Sequence, residues 1–287
     1  MLRKLLKYDL RSIGRFWWII MLVMAILFGM IGVSIRFFTE ALTHPLNSDL
    51  EAFFGIMAAL SYLPMYLEII GVSLCVVAIE VLIYVRFFKH FFTDEGYLTF
   101  TLPVSRKNHL LSKVITYVFW MYLTGIVMFF CICGALLIAV PTANYPTFIP
   151  DLFNAISHIP FTQFLWFILW MILGIPINIA SYVCVCCFTY FCITFGATIV
   201  KRGKIFASIG IYIGMTTLLS WLSQTASVFA ALFLSVGLEA IVMSAGDFGI
   251  NLLITGIMLL VLMVISTAAA FKYALTRIIL ERKLNLA

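Results

Sequence analysis

Long apolar runs separated by short polar connections fill most of this chain. A run of about 20 apolar residues reads as a membrane-spanning helix, because lipid cannot satisfy a bare backbone and about 30 Å of hydrocarbon needs about that length. The pattern predicts an all-α, polytopic membrane protein with six spans: Trp17 to Ile35, Tyr62 to Val85, Val114 to Ala139, Ile177 to Ile199, Ile205 to Ser223 and Asn251 to Tyr273. Two windows, Phe161 to Ile199 and Ile205 to Gly246, are too long for simple spans; as straight helices each reaches about 60 Å. Each is expected to break, the first at Pro176, which follows Gly174, and the second within "WLSQTAS" at 221–227. Phe161 to Ile175 and Ala226 to Met243 then become short re-entrant or interfacial helices on the outer side, with 224–247 as an outer re-entrant region. The rival is a long tilted helix running out of the membrane.

The N-terminal residues carry a different period. Leu2, Leu5, Leu6, Leu10, Ile13 and Trp17 recur at steps of three and four, and Arg3, Lys4, Lys7, Arg11 and Arg15 fill the other face. This predicts an amphipathic elbow helix over residues 1–16, lying in the headgroup region with an aromatic anchor at its end. A signal peptide is the rival reading, but no small-residue cleavage site follows the first apolar run convincingly.

Composition agrees: 64% of the 287 residues are hydrophobic and 10% charged, with mean hydropathy +1.14, against roughly 25% charged in soluble domains. The net charge of +6 invites a nucleic-acid reading, but its distribution does not support one. All but one of the 18 basic residues fall in the N-terminal segment, the second and fourth connections, or the C-terminal end, leaving Arg36 for the other face. By the positive-inside rule both termini are cytoplasmic, and the charge is a record of topology.

Catalytic chemistry finds little footing. Cys184, Cys186, Cys187 and Cys192 lie in one apolar span without a neighbouring His or Asp to complete a metal shell, so packing as small hydrophobes is expected and no metal site is assigned. His44 and His158 fall in outer loops, His90 and His109 in the cytoplasmic connection, and no H-E-x-x-H occurs. Two clear ionisable groups within spans are Glu68 and Glu80, about 120° apart around one helix. Glu80 is expected to form a structural ion pair, with Arg86 or Lys113, or to line a pathway; Glu68 faces a cavity or reaches the interface. "GIYIG", Gly210 to Gly214, has the spacing of close helix packing.

The most polar long stretch is "TDEGYLTFTLPVSRKNHLLSK", 93–113, between the second and third spans. Thr93 or Asp94 can cap a short helix, Pro103 ends it, and Ser105 can cap the next. Tyr97, Leu98, Phe100 and Leu102 give it an apolar face, suited either to a cytoplasmic partner or to the membrane surface. "DEGYLTFTLPVSRKNHLLSK" resembles the signature between spans two and three of type-2 ATP-binding-cassette (ABC) exporter permeases. Glu95, Gly96 and Leu98 match its acid-Gly-x-Leu start, Leu102, Pro103, Val104, Ser105 and Arg106 its Leu-Pro-Val-Ser-Arg element, and Lys113 its later lysine. The chain departs at Tyr97, where the family often has threonine. The resemblance implies a coupling helix within 86–113, with Asp94, Glu95, Gly96, Leu98, Leu102, Pro103, Ser105 and Arg106 facing a separate ATPase subunit.

No G-x-x-x-x-G-K-[ST] phosphate loop is present; Gly203-Lys204-Ile205 lacks the first glycine and the hydroxyl. ATP and Mg are therefore expected on partner ABC ATPase subunits, with no cofactor on this chain, no enzymatic role and no nucleic-acid partner. The resemblance implies a single permease domain that pairs with a second permease chain, the same or related, in a bacterial cytoplasmic membrane. Apolar spans rich in Phe and Met suit hydrophobic or amphipathic cargo, an antimicrobial or bacteriocin-like peptide first and a lipid or drug next. The acidic outer loops, with Glu40, Asp49, Glu51 and Asp151, either attract a cationic peptide or are simply solvated. The alternatives are an ion-coupled secondary carrier using Glu68 and Glu80, or an intramembrane enzyme.

Overall fold

The computed structural model describes residues 2–43, 51–93, 106–140, 145–200 and 203–283. They form α1 (Leu2–Thr43), α2 (Glu51–Phe92), α3 (Arg106–Ala139), α4 (Tyr145–Ser157), α5 (Phe161–Ile199) and α6 (Lys204–Lys283), with no strand among the described residues. Among the described residues, six stretches are long and apolar enough to cross a membrane: Arg3–Glu40, Tyr62–Phe92, Lys107–Ala139, Phe161–Ile199, Lys204–Thr225 and Phe248–Leu280. Their outward faces carry bare apolar side chains such as Trp18, Leu22, Phe130 and Met263, each more than half exposed. Such faces are stable only against lipid, so the protein is a multi-pass membrane protein.

The helices group into two compact units. One is drawn from the described residues of Met1–Leu5, Arg86–Val118 and Phe161–Ala287, the other from those of Leu6–Val85 and Phe119–Pro160.

In the second unit α1 is the common partner. Lipid gives helices no hydrophobic reason to associate, so close approach of small residues and hydrogen bonds must hold them. Gly32 supplies the approach: a Cβ there would lie 2.7 Å from the Ala135 carbonyl oxygen on α3. Trp17 supplies the hydrogen bond, its Nε1 donating to Thr124 Oγ1 at 2.9 Å while its ring packs 5.0 Å from that of Trp120. The apolar stripe expected on the N-terminal segment is real, with Ile13 and Trp17 buried and the five basic residues exposed. At Trp17, however, that stripe meets protein rather than lipid, and α1 runs without interruption from residue 2 into the first span. A separate elbow helix over 1–16 is therefore not distinguished. The 140–160 stretch, expected as a loop, contains α4, whose Ile149, Phe153 and Ile156 form an exposed apolar stripe at helical spacing.

In the first unit α5 touches both ends of α6. Gly196 meets the start of α6 backbone to backbone, since a Cβ there would lie 2.5 Å from Ser208 Cα. Further back along α5, Phe188 packs on Tyr212. The far part of α6 contacts α5 in the opposite order: Trp166 with Phe248, Trp170 Nε1 with Thr255 Oγ1 at 3.2 Å, and Cys184 with Lys272. The two arms of α6, 204–245 and 247–283, thus run antiparallel, and the break between them is Gly246 at φ 59°, ψ −179°.

Both expected helix breaks are corrected. The 221–227 stretch is helical, and its hydroxyls are satisfied by bonding back to the helix's own carbonyls instead of ending it: Ser223 to Ser220, Thr225 to Trp221 and Leu222, Ser227 to Gln224. Ala226 to Met243 therefore continues the first arm of α6 rather than forming a separate re-entrant helix within 224–247. At Pro176 the helix also continues, and Asn178 Nδ2, two residues on, donates to the Gly174 carbonyl at 2.9 Å within the same helix. Phe161 to Ile175 is the first part of a 39-residue helix and not a short element of its own.

Candidate functional site

Of the residues implicated in ATPase coupling, Asp94, Glu95, Gly96, Leu98, Leu102, Pro103 and Ser105 lie outside the described residues, and Arg106 opens α3. The helix ends that flank them are well defined. Thr93 serves the end of α2, its Oγ1 donating to the Lys89 carbonyl at 2.6 Å. Phe87 and Phe91 bury the last turns of α2, and Phe87 stacks flat on Tyr190 of α5, with ring centroids 3.8 Å apart and 7° between planes. Tyr190 Oη in turn donates to the Lys113 carbonyl at 3.4 Å, where Leu110 and Tyr117 bury the first turns of α3. One α5 side chain therefore touches the helix on each side of the segment. Beside the end of α2 lies a cavity of 320 Å³ lined by Phe88, Phe92, Gly203, Lys204, Ile205 and Phe206. Gly203, at φ 76°, makes the turn into α6 in a conformation other residues rarely adopt.

The two span carboxylates differ. Glu68 is 6% exposed, and Ser34 Oγ of α1 lies 3.2 Å from both of its oxygens, so one hydroxyl faces the whole carboxyl group. One turn on, Gly71 lets α1 approach, since a Cβ there would lie 3.0 Å from Leu27 Cδ1. Burial against so few polar partners is costly and marks Glu68 as a candidate site. Glu80 is half-buried and, among the described residues, takes part in no hydrogen bond or ion pair. Arg86, six positions on, lies about 120° away around the helix and is poorly placed to pair with it.

The cysteine-rich face of α5 holds a residue that sequence reasoning missed. Cys186, Cys187 and Cys192 are buried, as packing predicts, and all seven cysteines are free thiols. Cys184 is half-exposed, and its Sγ accepts a hydrogen bond from Lys272 Nζ at 3.2 Å; the same ammonium lies 5.0 Å from the centre of the Phe188 ring. The basic bias counts Lys272 with the C-terminal end although the expected span Asn251 to Tyr273 reaches it; in the structure the apolar stretch runs on past it, over Phe248–Leu280. The signal available in the sequence was its position: Phe271 and Tyr273 flank it, and the apolar run continues to Leu280.

Among the described residues no three His, Cys, Asp or Glu side chains gather as metal ligands. Two charged groups stand out within the apolar helices: a buried carboxylate between α1 and α2, and a cation between α5 and α6. Compared with family models, with curated proteins and with solved structures, the chain matches none.

Proposed function

We propose that the chain is the permease subunit of an ATP-driven exporter resembling the type-2 ABC permeases, moving hydrophobic or amphipathic cargo outward. Two copies, or this chain and a related one, would ride on two ATPase subunits in a bacterial cytoplasmic membrane, with both termini cytoplasmic. The observation that carries the reading is the anchoring of the 94–105 segment, because Tyr190 touches both Phe87 before it and the Lys113 carbonyl after it. A push delivered to the end of α2 or the start of α3 would reach α5 as well, through Tyr190. The cavity at Phe88, Phe92 and Lys204 sits beside the same helix end and would offer a notch to a docked subunit.

The test is gentle purification of the tagged chain from its native membrane. An ABC ATPase is expected to accompany it at near-equal amounts and to be lost on L98D or R106E substitution. Retention of the ATPase in both variants, or its absence from the unaltered chain, would overturn the reading.

One observation favours a second reading, an ion-coupled carrier: the burial of Glu68 with Ser34 as its hydrogen-bond partner. That reading expects substrate uptake without ATP, abolished by Glu68→Gln. Transport that survives this substitution and stops on ATP depletion removes it.

A further inference from the structure

Lys272 is a cation inside an apolar span, and among the described residues no carboxylate reaches it. Its ammonium has a thiol at 3.2 Å and a ring face at 5.0 Å, neither of which carries a negative charge to balance it. A lysine near the end of a spanning helix ordinarily stretches outward to water. This one is turned onto α5 and held half-buried, which fixes a positive charge in one place.

Depth and surroundings indicate the ligand. The span Phe248–Leu280 has 33 residues and is about 50 Å long, so it overshoots about 30 Å of hydrocarbon by about 10 Å at each end. Lys272 lies about 12 Å from the Leu280 end, at the boundary between acyl chains and headgroups. Towards the middle of the span, Val261, Val264 and Ala268 recur on the same side of the helix, the two valines exposed and the alanine half-exposed. An anion with apolar tails fits both features.

We propose that Lys272, held in place by Cys184 and Phe188, binds the phosphate of an anionic phospholipid whose acyl chains lie along Val261, Val264 and Ala268. The site belongs to the membrane-spanning fold and does not rest on the exporter reading.

Cys184 touches Lys272 and reports its occupancy. The full chain is reconstituted in phosphatidylcholine vesicles with or without phosphatidylglycerol, and N-ethylmaleimide labelling of each cysteine is followed by peptide mass spectrometry. Phosphatidylglycerol is expected to slow labelling of Cys184 several-fold while leaving the partly exposed Cys131 unchanged. Lys272→Arg keeps the effect and Lys272→Gln abolishes it, with buried Cys186 remaining unlabelled as the sign of an intact fold. Equal Cys184 rates in the two vesicles, a slowing shared by Cys131, or a slowing that persists in folded Lys272→Gln would overturn the proposal. So would equal protection by millimolar inorganic phosphate in phosphatidylcholine alone, since the site would then take a free anion and no lipid. If Lys272→Gln unfolds and Cys186 reacts, the Cys184 to Cys131 comparison in the unaltered chain decides.

Discussion

Gly196 and Gly210 are chemically the same residue in two different settings. A methyl group at Gly196 would strike the backbone of Ser208 at 2.5 Å, whereas at Gly210, and at Gly214, nothing lies within 4 Å. Gly196→Ala is expected to lose about 1–3 kcal/mol by forcing α5 and α6 apart. Gly210→Ala or Gly214→Ala is expected to gain up to about 1 kcal/mol, because alanine is the better helix former and meets no obstacle. Thermal unfolding of the three variants in detergent checks both signs. A loss at Gly210 or Gly214 would place that face against a second copy of the chain. The spacing of "GIYIG" could be seen in the sequence, but the glycine that makes the contact could not, because its partner Ser208 lies across a turn. The carboxylates show the same division: Glu68 was visible as an acid in a span, whereas its Ser34 partner depended on which faces of α1 and α2 meet. Lys272 was missed for a related reason, since a basic residue near the C-terminal end is counted as topology until a neighbouring helix captures it.

Helix breaks were read from residue type, and at this scale type proved insufficient. Proline and a cluster of hydroxyls were expected to end helices, yet both stretches are helical, with the Asn178 amide and the Ser and Thr hydroxyls satisfied on their own helix's carbonyls. The reversal falls instead on Gly246, whose φ of 59° with an extended ψ belongs almost to glycine alone. Gly246→Ala is therefore expected to destabilise the protein by about 1–3 kcal/mol, against a change within about 0.5 kcal/mol for Ser223→Ala, whose hydroxyl only serves its own helix. A midpoint shift no larger for Gly246→Ala than for Ser223→Ala would show that the reversal does not depend on that conformation. Element existence and type were legible throughout the apolar runs, because hydrophobicity at this length leaves a chain in lipid little choice but helix. Element ends were not, since they depend on local hydrogen bonds that composition does not encode.

For the whole molecule, six apolar stretches among the described residues make a multi-pass membrane protein, and the basic bias on alternate connections raises the expectation that both termini lie on the same, cytoplasmic side. Tags at residue 1 and residue 287 are expected to be inaccessible to an impermeant reagent in intact cells and to become accessible together on lysis. A reagent that reaches one tag but not the other would mean an odd number of crossings and would sink the six-span reading. The second arm of α6 carries a last consequence. None of the residues in the most apolar stretch of Phe248–Leu280 is buried, while Cys186 to Ala197 on α5 is largely enclosed. Evolution therefore acts on the two helices under different rules. Along most of the α6 arm one aliphatic residue is as good as another, and neutral drift can rewrite its letters as long as they stay oily. On the enclosed face of α5 each side chain is constrained by the shape of its neighbours, so saturation mutagenesis should find the bare side of the α6 arm tolerant and the enclosed face of α5 intolerant.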